Sequence, residues 1–240
     1  MRFSKSLIAF VSVSMLLLHS PLASALAMGQ VDTFEDGTVQ NWQVALLGAP
    51  HPAPPVNVPD GGPMGTGDNY LLLGSLGGQG PGNRLTAINF GAQWAGDYVT
   101  NGVGTISMDL RNFGSSDLSI RLYLENPVAG PPTDQAITGA RTLPAGGNWT
   151  RVEFAVDAAS LVGLAGDVNS LLANVTALRI FHGPAEAFPG PAVTATLGVD
   201  NITAAQAQAV PEPPALSLLM LGLVTVFYRG RSRANRPRRT

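Results

Sequence analysis

Short runs of alternating apolar and polar residues recur along the middle of the chain, between residues 28 and 209. A period of two residues places one side of a β-strand in a core and the other side toward solvent. Three runs show it most clearly: Ile106, Met108 and Leu110; Ile120, Leu122 and Leu124; Val152, Phe154 and Val156. The whole pattern predicts strands near residues 30–34, 42–47, 69–74, 84–90, 103–111, 118–125, 149–156, 175–182 and 194–202.

Turn-forming residues separate these runs, as in Asn112 to Asp117 and Pro144 to Asn148. The segment of about 158–173 is predicted to be a short helix or helical loop, and residues 50–67 to be a long Pro/Gly loop. Eight or nine short strands without regular helices between them predict an all-β domain over residues 28–209. We expect an antiparallel β-sandwich of the jelly-roll type.

The N-terminus has the three parts of a secretory signal peptide. Arg2 and Lys5 precede an apolar run from Leu7 to Leu18, and small residues, Ala25 and Ala27, follow at the two positions that a signal peptidase reads. Residues 1–27 are therefore predicted to be a signal peptide cleaved after Ala27, with cleavage after Ala25 as the second choice. An uncleaved membrane anchor is the alternative.

The C-terminus also has three parts. The triplet Pro211, Glu212 and Pro213 precedes residues 215–228, which carry no charge. As a helix these residues would be roughly 21 Å long, a marginal length for a bilayer core of about 30 Å. We nevertheless predict a single transmembrane helix, with a basic tail that stays cytoplasmic. The tail consists of Arg229, Arg231, Arg233, Arg236, Arg238 and Arg239.

This arrangement of Pro-Glu-Pro, short apolar helix and terminal arginine cluster resembles the PEP-CTERM sorting signal of Gram-negative bacteria. The resemblance covers residues 210–240. It implies processing by the membrane enzyme exosortase after signal peptidase has acted, and a source that forms biofilm and produces exopolysaccharide. The protein would cross the inner membrane, be held there transiently by its C-terminal helix, and then reach the cell surface or extracellular matrix. A permanent single-pass anchor remains the alternative.

Charge is segregated along the chain. Of the 14 Lys and Arg residues, two lie in the first five positions and six in the last twelve, which leaves six arginines in residues 28–209 beside 15 of the 16 acidic residues. A domain with such an acidic excess repels nucleic acid phosphates, so no nucleic acid partner is expected. Carboxylates are also the ligands that divalent cations prefer, although scattered acids can serve solubility alone.

Two short segments resemble secreted galactose-binding-like, carbohydrate-binding and laminin domain-IV-like jelly rolls. They are the Thr33 to Gly37 turn, followed by Trp42, and the Gly198 to Ile202 strand. In such domains the first and last strands lie side by side and often share a structural Ca²⁺. The resemblance implies a site with the backbone carbonyl of Thr33, the carboxylates of Glu35 and Asp200, and a contribution from Asp68. The alternative is an ordinary turn and a strand end.

The segment between residues 92 and 98 carries the residue types that bind sugars. Aromatic rings stack on the apolar faces of sugars, while amides and carboxylates bond the hydroxyls. The candidates are Gln93, Trp94, Asp97 and Tyr98. The alternative is that the two aromatic rings cover the edge of the core, which is also the position expected for Trp42 and Trp149.

The chain contains no cysteine, which excludes disulfides, thiolate metal sites and cysteine nucleophiles. No serine elbow or metal motif accompanies His182. We therefore expect a non-catalytic surface or matrix protein that binds exopolysaccharide. A purely structural or adhesive protein without a sugar ligand is the alternative. A glycan-active enzyme is the less favoured one, because Asp97, Asp109, Glu125 and Glu153 would have to meet in space.

Overall fold

The computed structural model describes residues 26–44, 51–127 and 129–207. The predicted signal peptide up to Ala25 lies outside the described residues. So do the sorting motif at 211–213, the apolar helix at 215–228 and the arginine tail. Within the described ranges, no helix has the length and apolar character needed to span a membrane.

Twelve strands and one short helix make up the described domain. The helix, α1, is Val168–Ala173. The strands are β1 Val31–Asp32, β2 Val56–Val58, β3 Tyr70–Leu76, β4 Thr86–Asn89, β5 Thr105–Asn112, β6 Leu118–Asn126, β7 Asp134–Ile137, β8 Arg141–Leu143, β9 Thr150–Ala155, β10 Val162–Ala165, β11 Ala177–His182 and β12 Thr194–Ala205.

The strands form two sheets, and every ladder in them is antiparallel. The first sheet has the order β2-β3-β12-β5-β9, with β1 paired to β12. The second has the order β10-β7-β6-β11-β4, with β8 paired to β6. The predicted all-β antiparallel sandwich is confirmed, and its two layers fit the expected jelly roll.

The core lies between the two sheets and is filled by the alternating side chains. All nine apolar residues of the three clearest runs belong to it; eight are buried, and Val152 packs against them partly buried. The other side of each strand faces outward. On β6 these outward residues are Arg121, Tyr123 and Glu125, and on β11 they are Arg179 and Phe181.

Several predicted elements differ from the structure. Near 42–47, only Gln43 is seen to pair, as an isolated bridge with Ile88, and residues 45–47 lie outside the described ranges. The predicted loop at 50–67 contains β2. The predicted helical segment at 158–173 contains β10 before α1. Strands β7 and β8 were missed because runs of four and three residues are too short to display alternation.

The folded domain begins before residue 28. Leu26 is 3% exposed and belongs to the core, and its amide donates to the carbonyl of Ala92 at 2.8 Å. Cleavage after Ala27 would remove this side chain from the core, whereas cleavage after Ala25 leaves it in place.

A buried carboxylate on β1 joins three segments of the chain. Asp32 is 2% exposed, and its Oδ2 accepts the indole N–H groups of Trp42 at 2.8 Å and of Trp94 at 2.7 Å. Its Oδ1 accepts from the amides of Gln30 at 3.1 Å and Gln93 at 3.5 Å. Burial raises the pKa of Asp32, while these hydrogen bonds act in the opposite direction.

We predict that Asp32→Ala destabilises the full chain by about 3 kcal/mol or more, because it leaves two buried indole donors without acceptors. Asp32→Asn should cost clearly less, since one amide oxygen can still accept from both indoles. Urea unfolding followed by tryptophan fluorescence measures both. Asp36→Ala, on an exposed turn, is the control. Equal losses for the two alanine variants would contradict a special role of Asp32.

Candidate functional site

The structure places the two predicted sugar-stacking rings in the core. Trp94 is 0% and Tyr98 is 1% exposed. The indole of Trp94 donates to Asp32, and the Tyr98 hydroxyl donates to the carbonyl of Trp94 at 3.0 Å. A ring without an exposed face cannot stack on a sugar. Both residues therefore belong to the core, which was the alternative interpretation.

Gln93 and Asp97 are not brought together with those rings on one surface. Gln93 lines an open groove of about 930 Å³ with other amide side chains, among them Gln40 and Asn41, and Asp97 is not part of that lining. The Gln93 amide accepts from Asn41 at 2.8 Å and donates to the Gln40 carbonyl at 2.8 Å. Asp97 closes a turn by accepting from the Thr100 amide and hydroxyl, which lowers its pKa.

Asp200, one residue of the predicted calcium site, lies at a break in the first sheet. Strands β1 and β3 lie along the same edge of β12, β3 at Thr194 to Val199 and β1 at Ile202 and Thr203. Asp200 and Asn201 lie in the gap between them, where the pairing of β12 with β5 also shifts register. Asn201 has a left-handed φ of 50°. The expected adjacency of first and last strands is therefore present.

Negative charge accumulates at this break. Asp200 is 1% exposed. Burial raises its pKa to about 7, and the carboxylates of Asp68, Asp109 and Glu35 add to the increase. Asp109 has a cation nearby, since Arg151 lies 3.3 Å from it. The Asp200 carboxylate instead accepts from the Asn201 amide at 2.7 Å.

The arrangement fits a Ca²⁺ site only in part. In the described ranges, no three acidic or histidine side chains converge as a ready set of metal ligands. Glu35 accepts from the Asn69 amide at 2.9 Å, and Asp68 accepts from the Met64 amide at 2.6 Å. A cation here would need carbonyl oxygens beside the carboxylates, a combination that Ca²⁺ accepts. A cation at this break would stabilise the ionised carboxylate of Asp200, whose pKa is raised to about 7.

Without metal, we predict that stability falls between about pH 4 and pH 7, because Asp200 ionises near 3.8 when unfolded and near 7 when folded. Over that range the folded state holds a proton that the unfolded state has lost, so raising the pH favours unfolding. Asp200→Asn should reduce this dependence and stabilise the chain at about pH 8. Thermal unfolding in chelator against pH measures it. An unchanged pH profile would contradict the assignment to Asp200.

A second apolar cluster covers the outer face of the second sheet. Tyr123 and Phe181 are each 1% exposed and pack with Ile137. Phe188, from the loop after β11, lies over them: its ring stacks on Tyr123 at 4.0 Å and meets Phe181 edge-on at 5.2 Å. The loop thereby builds an aromatic wall on a face that the sequence alternation assigns to solvent.

Charged side chains flank this wall. Glu125 accepts from Arg179 at 2.6 Å, and both side chains are largely buried. The Arg179 guanidinium also lies 5.8 Å from the Tyr123 ring and 5.5 Å from the Phe188 ring. Arg121, 5% exposed, donates to the carbonyls of Gly183 and Thr138 at 2.7 Å. These bonds fix the loop that carries Phe188 against the sheet.

A pocket of about 360 Å³ opens beside Phe188. Its polar lining comes from β4, β11 and the segments before β4: Thr86, Arg179, Arg84, Asn83 and His51. The Thr86 hydroxyl oxygen is buried and has no hydrogen-bond partner in the described structure. A buried polar group without a partner costs about 1–3 kcal/mol, so a ligand that reached this oxygen after a rotation of the Thr86 side chain would gain from satisfying it. We take this pocket, with Phe188, as the candidate site.

Sequence reasoning missed this site although one signal was present. The apolar residues of β6 and β11 were assigned to the core, but the intervening positions carry Arg121, Tyr123, Glu125, Arg179 and Phe181. The signal is the pair of aromatics on one outward face, Tyr123 and Phe181, because large apolar side chains gathered on one face mark a covered or binding surface. The contribution of the loop residue Phe188 had no such signal.

The three tryptophans differ in position. Trp42 is 1% exposed, as predicted. The prediction that Trp149 is a core residue is wrong: it lies on the outer face of the first sheet, partly exposed, with Tyr70 at 5.2 Å and Phe113 at 6.1 Å. Gly198 makes room for it, since a Cβ there would lie 2.6 Å from the Trp149 ring.

Comparison with protein-family models finds no match, and comparison with curated proteins finds none either. Among solved structures, a family 11 carbohydrate-binding module from Clostridium thermocellum in complex with a β-1,3-1,4-mixed-linked tetrasaccharide is 19% identical, with a TM-score of 0.48 over 75% of this chain and 98% of that one. The K2 cleaved adhesin domain of Lys-gingipain is 11% identical, with a TM-score of 0.44 over 74% of this chain and 99% of that one.

An exo-β-agarase is 13% identical, with a TM-score of 0.52 over 79% of this chain. The match covers 26% of the agarase chain. At this identity the similarity shows a shared fold and nothing about ligand or chemistry.

Proposed function

We propose that this is a non-catalytic carbohydrate-binding domain of an exported surface or matrix protein, and that the pocket beside Phe188 holds the sugar. The observation that carries the proposal is the buried, unpartnered Thr86 hydroxyl in a pocket whose lining also holds Arg84, Arg179, His51, Asn83 and the ring of Phe188. A sugar hydroxyl would satisfy that oxygen, while the apolar side of a pyranose would lie against Phe188.

The lining of the pocket favours binding over hydrolysis. Glycoside hydrolysis needs two carboxyl groups that face each other across the scissile bond, about 5–9.5 Å apart. The described residues that line the pocket include no aspartate or glutamate. The nearby Glu125 is held by Arg179, whose Nε and Nη2 both donate to its Oε1. A carboxylate engaged in that way is a poor general acid.

We further propose that signal peptidase exports the chain and that exosortase processes its C-terminus. The support lies in the sequence of both ends, which flank the described domain. Cleavage after Ala25 agrees best with the buried Leu26. The protein would then be held at the inner membrane by residues 215–228 and released to the cell surface or matrix, where extracellular polysaccharide is the available ligand.

We propose Ca²⁺ as a structural cofactor at the break in the first sheet. Glu35, Asp68 and Asp200 would supply carboxylate oxygens and Thr33 its carbonyl. A bound cation would neutralise the charge that accumulates around Asp200. Asn57 and Asn69 already hold the 33–35 segment in place by donating to the Phe34 carbonyl at 2.7 and 3.3 Å.

The calcium proposal predicts a higher melting temperature with Ca²⁺ than with chelator, because a ligand at 100 times its Kd stabilises by about 2.7 kcal/mol. Differential scanning calorimetry of the full chain measures the difference. Asp200→Asn should abolish the calcium shift, and Asp117→Asn, on an exposed turn, should keep it. A wild-type chain that melts at one temperature in both conditions has no such site.

The binding proposal predicts that Thr86→Val weakens retention by polysaccharide about tenfold while leaving the melting temperature equal or higher. Loss of an unpartnered hydroxyl removes a destabilising group from the free protein, but it also removes a hydrogen bond from the complex. Affinity gel electrophoresis against neutral and acidic polysaccharides measures retention. Thr142→Val, exposed on β8 of the same sheet, is the control. If wild-type protein is retained by none of the polymers, the structural or adhesive alternative without a sugar ligand replaces this proposal.

A further inference from the structure

The candidate pocket is basic although the domain around it is acidic. Residues 28–209 carry six arginines and 15 acidic residues. Two of those arginines, Arg84 and Arg179, line this one pocket, together with His51. Solubility does not explain why basic residues gather in one pocket of an acidic domain, because the scattered acids already make the domain soluble.

Arg84 is the cation with capacity left for a ligand. Its side chain is exposed, and its Nε donates to the carbonyl of Gly190 at 2.7 Å. That bond fixes the guanidinium at the rim of the pocket and leaves the two terminal nitrogens to bind. No carboxylate lies within ion-pair distance of Arg84 in the described part of the chain. By contrast, the charge of Arg179 is matched by Glu125 at 2.6 Å.

His51 adds a further donor to the same lining. Its Nδ1 accepts the amide of Ala53 at 3.1 Å. The neutral imidazole therefore carries its proton on Nε2, which makes that nitrogen a donor. With Thr86 and Asn83, the pocket offers guanidinium, imidazole, hydroxyl and amide groups and no acidic group in its described lining. This combination matches an anion better than a neutral hydroxyl array does.

We infer that the pocket selects a sugar residue with an anionic substituent, a carboxylate or a sulfate, and that Arg84 is the residue that determines this specificity. The inference rests on the proposed sugar-binding function and names the ligand class for the same pocket. The anionic group would bind the terminal nitrogens of Arg84, while the sugar ring would lie toward Phe188 and the Thr86 hydroxyl. The inference concerns binding alone, and no covalent bond is made or broken.

The test uses polymers that differ in charge alone. Full-length protein is measured against polygalacturonate and its fully methyl-esterified form, and against dextran sulfate and dextran, at low and at physiological salt. The charge-bearing member of at least one pair should bind about tenfold more tightly or better, and added salt should weaken that binding. The pair that responds identifies the carboxylate or the sulfate as the ligand group.

Two variants separate the pocket from general charge. Arg84→Gln should abolish the preference for the charged polymer. Arg141→Gln should keep it, although it removes the same charge from an exposed arginine whose Nε also donates to a backbone carbonyl, that of Glu153 at 2.7 Å. Equal loss in both variants, or equal binding of charged and uncharged polymers by the wild type, overturns the inference. In the second case the binding function itself stands, whereas retention by no polymer overturns both.

Discussion

The hydrogen bonds of the Asp32 carboxylate hold the two layers of the sandwich in register at one end. Strand β1 belongs to the first sheet, whereas Trp42 precedes the Gln43–Ile88 bridge that adds to the edge of the second. Trp94 follows β4, the edge strand of that sheet. One buried anion that accepts from both indoles therefore connects the sheets through side chains, in a place where no backbone ladder can do so. A buried charge is costly unless it is fully bonded, and four donors supply that condition.

The long strand β12 organises the rest of the first sheet. It pairs with β5 along one side and with β3 and then β1 along the other. The change of partner from β3 to β1 leaves a short stretch at Asp200 and Asn201 where neither strand pairs. Carboxylates from separate parts of the chain gather there. The acidic break is thus a consequence of topology, and a bound cation or a proton on Asp200 would each relieve it.

The second sheet differs from the first because a loop covers its outer face. Its outer face is not left to solvent, because the loop after β11 folds back and places Phe188 over Tyr123 and Phe181. Arg121 donates to the Gly183 carbonyl at the start of that loop, and the Arg179 guanidinium lies against the Phe188 ring. The pocket beside Phe188 is the space that remains between this loop, β4 and the Gly80 to Gly82 segment. Its basic lining comes from residues more than 90 positions apart, Arg84 and Arg179.

The sequence by itself determined the class of fold: alternation in β5, β6 and β9 assigned the core residues there correctly. It could do so because the period of two depends only on neighbours along the chain. The resemblance of the first and last strands to jelly-roll domains also implied that these two strands lie side by side, as β1 and β12 do. Only the tertiary structure decided that Trp94 and Tyr98 are buried, that Trp149 is not, and that Phe188, Thr86 and Arg84 share a pocket. Those outcomes depend on which segments cross which face, and such long-range contacts leave no period in the local sequence.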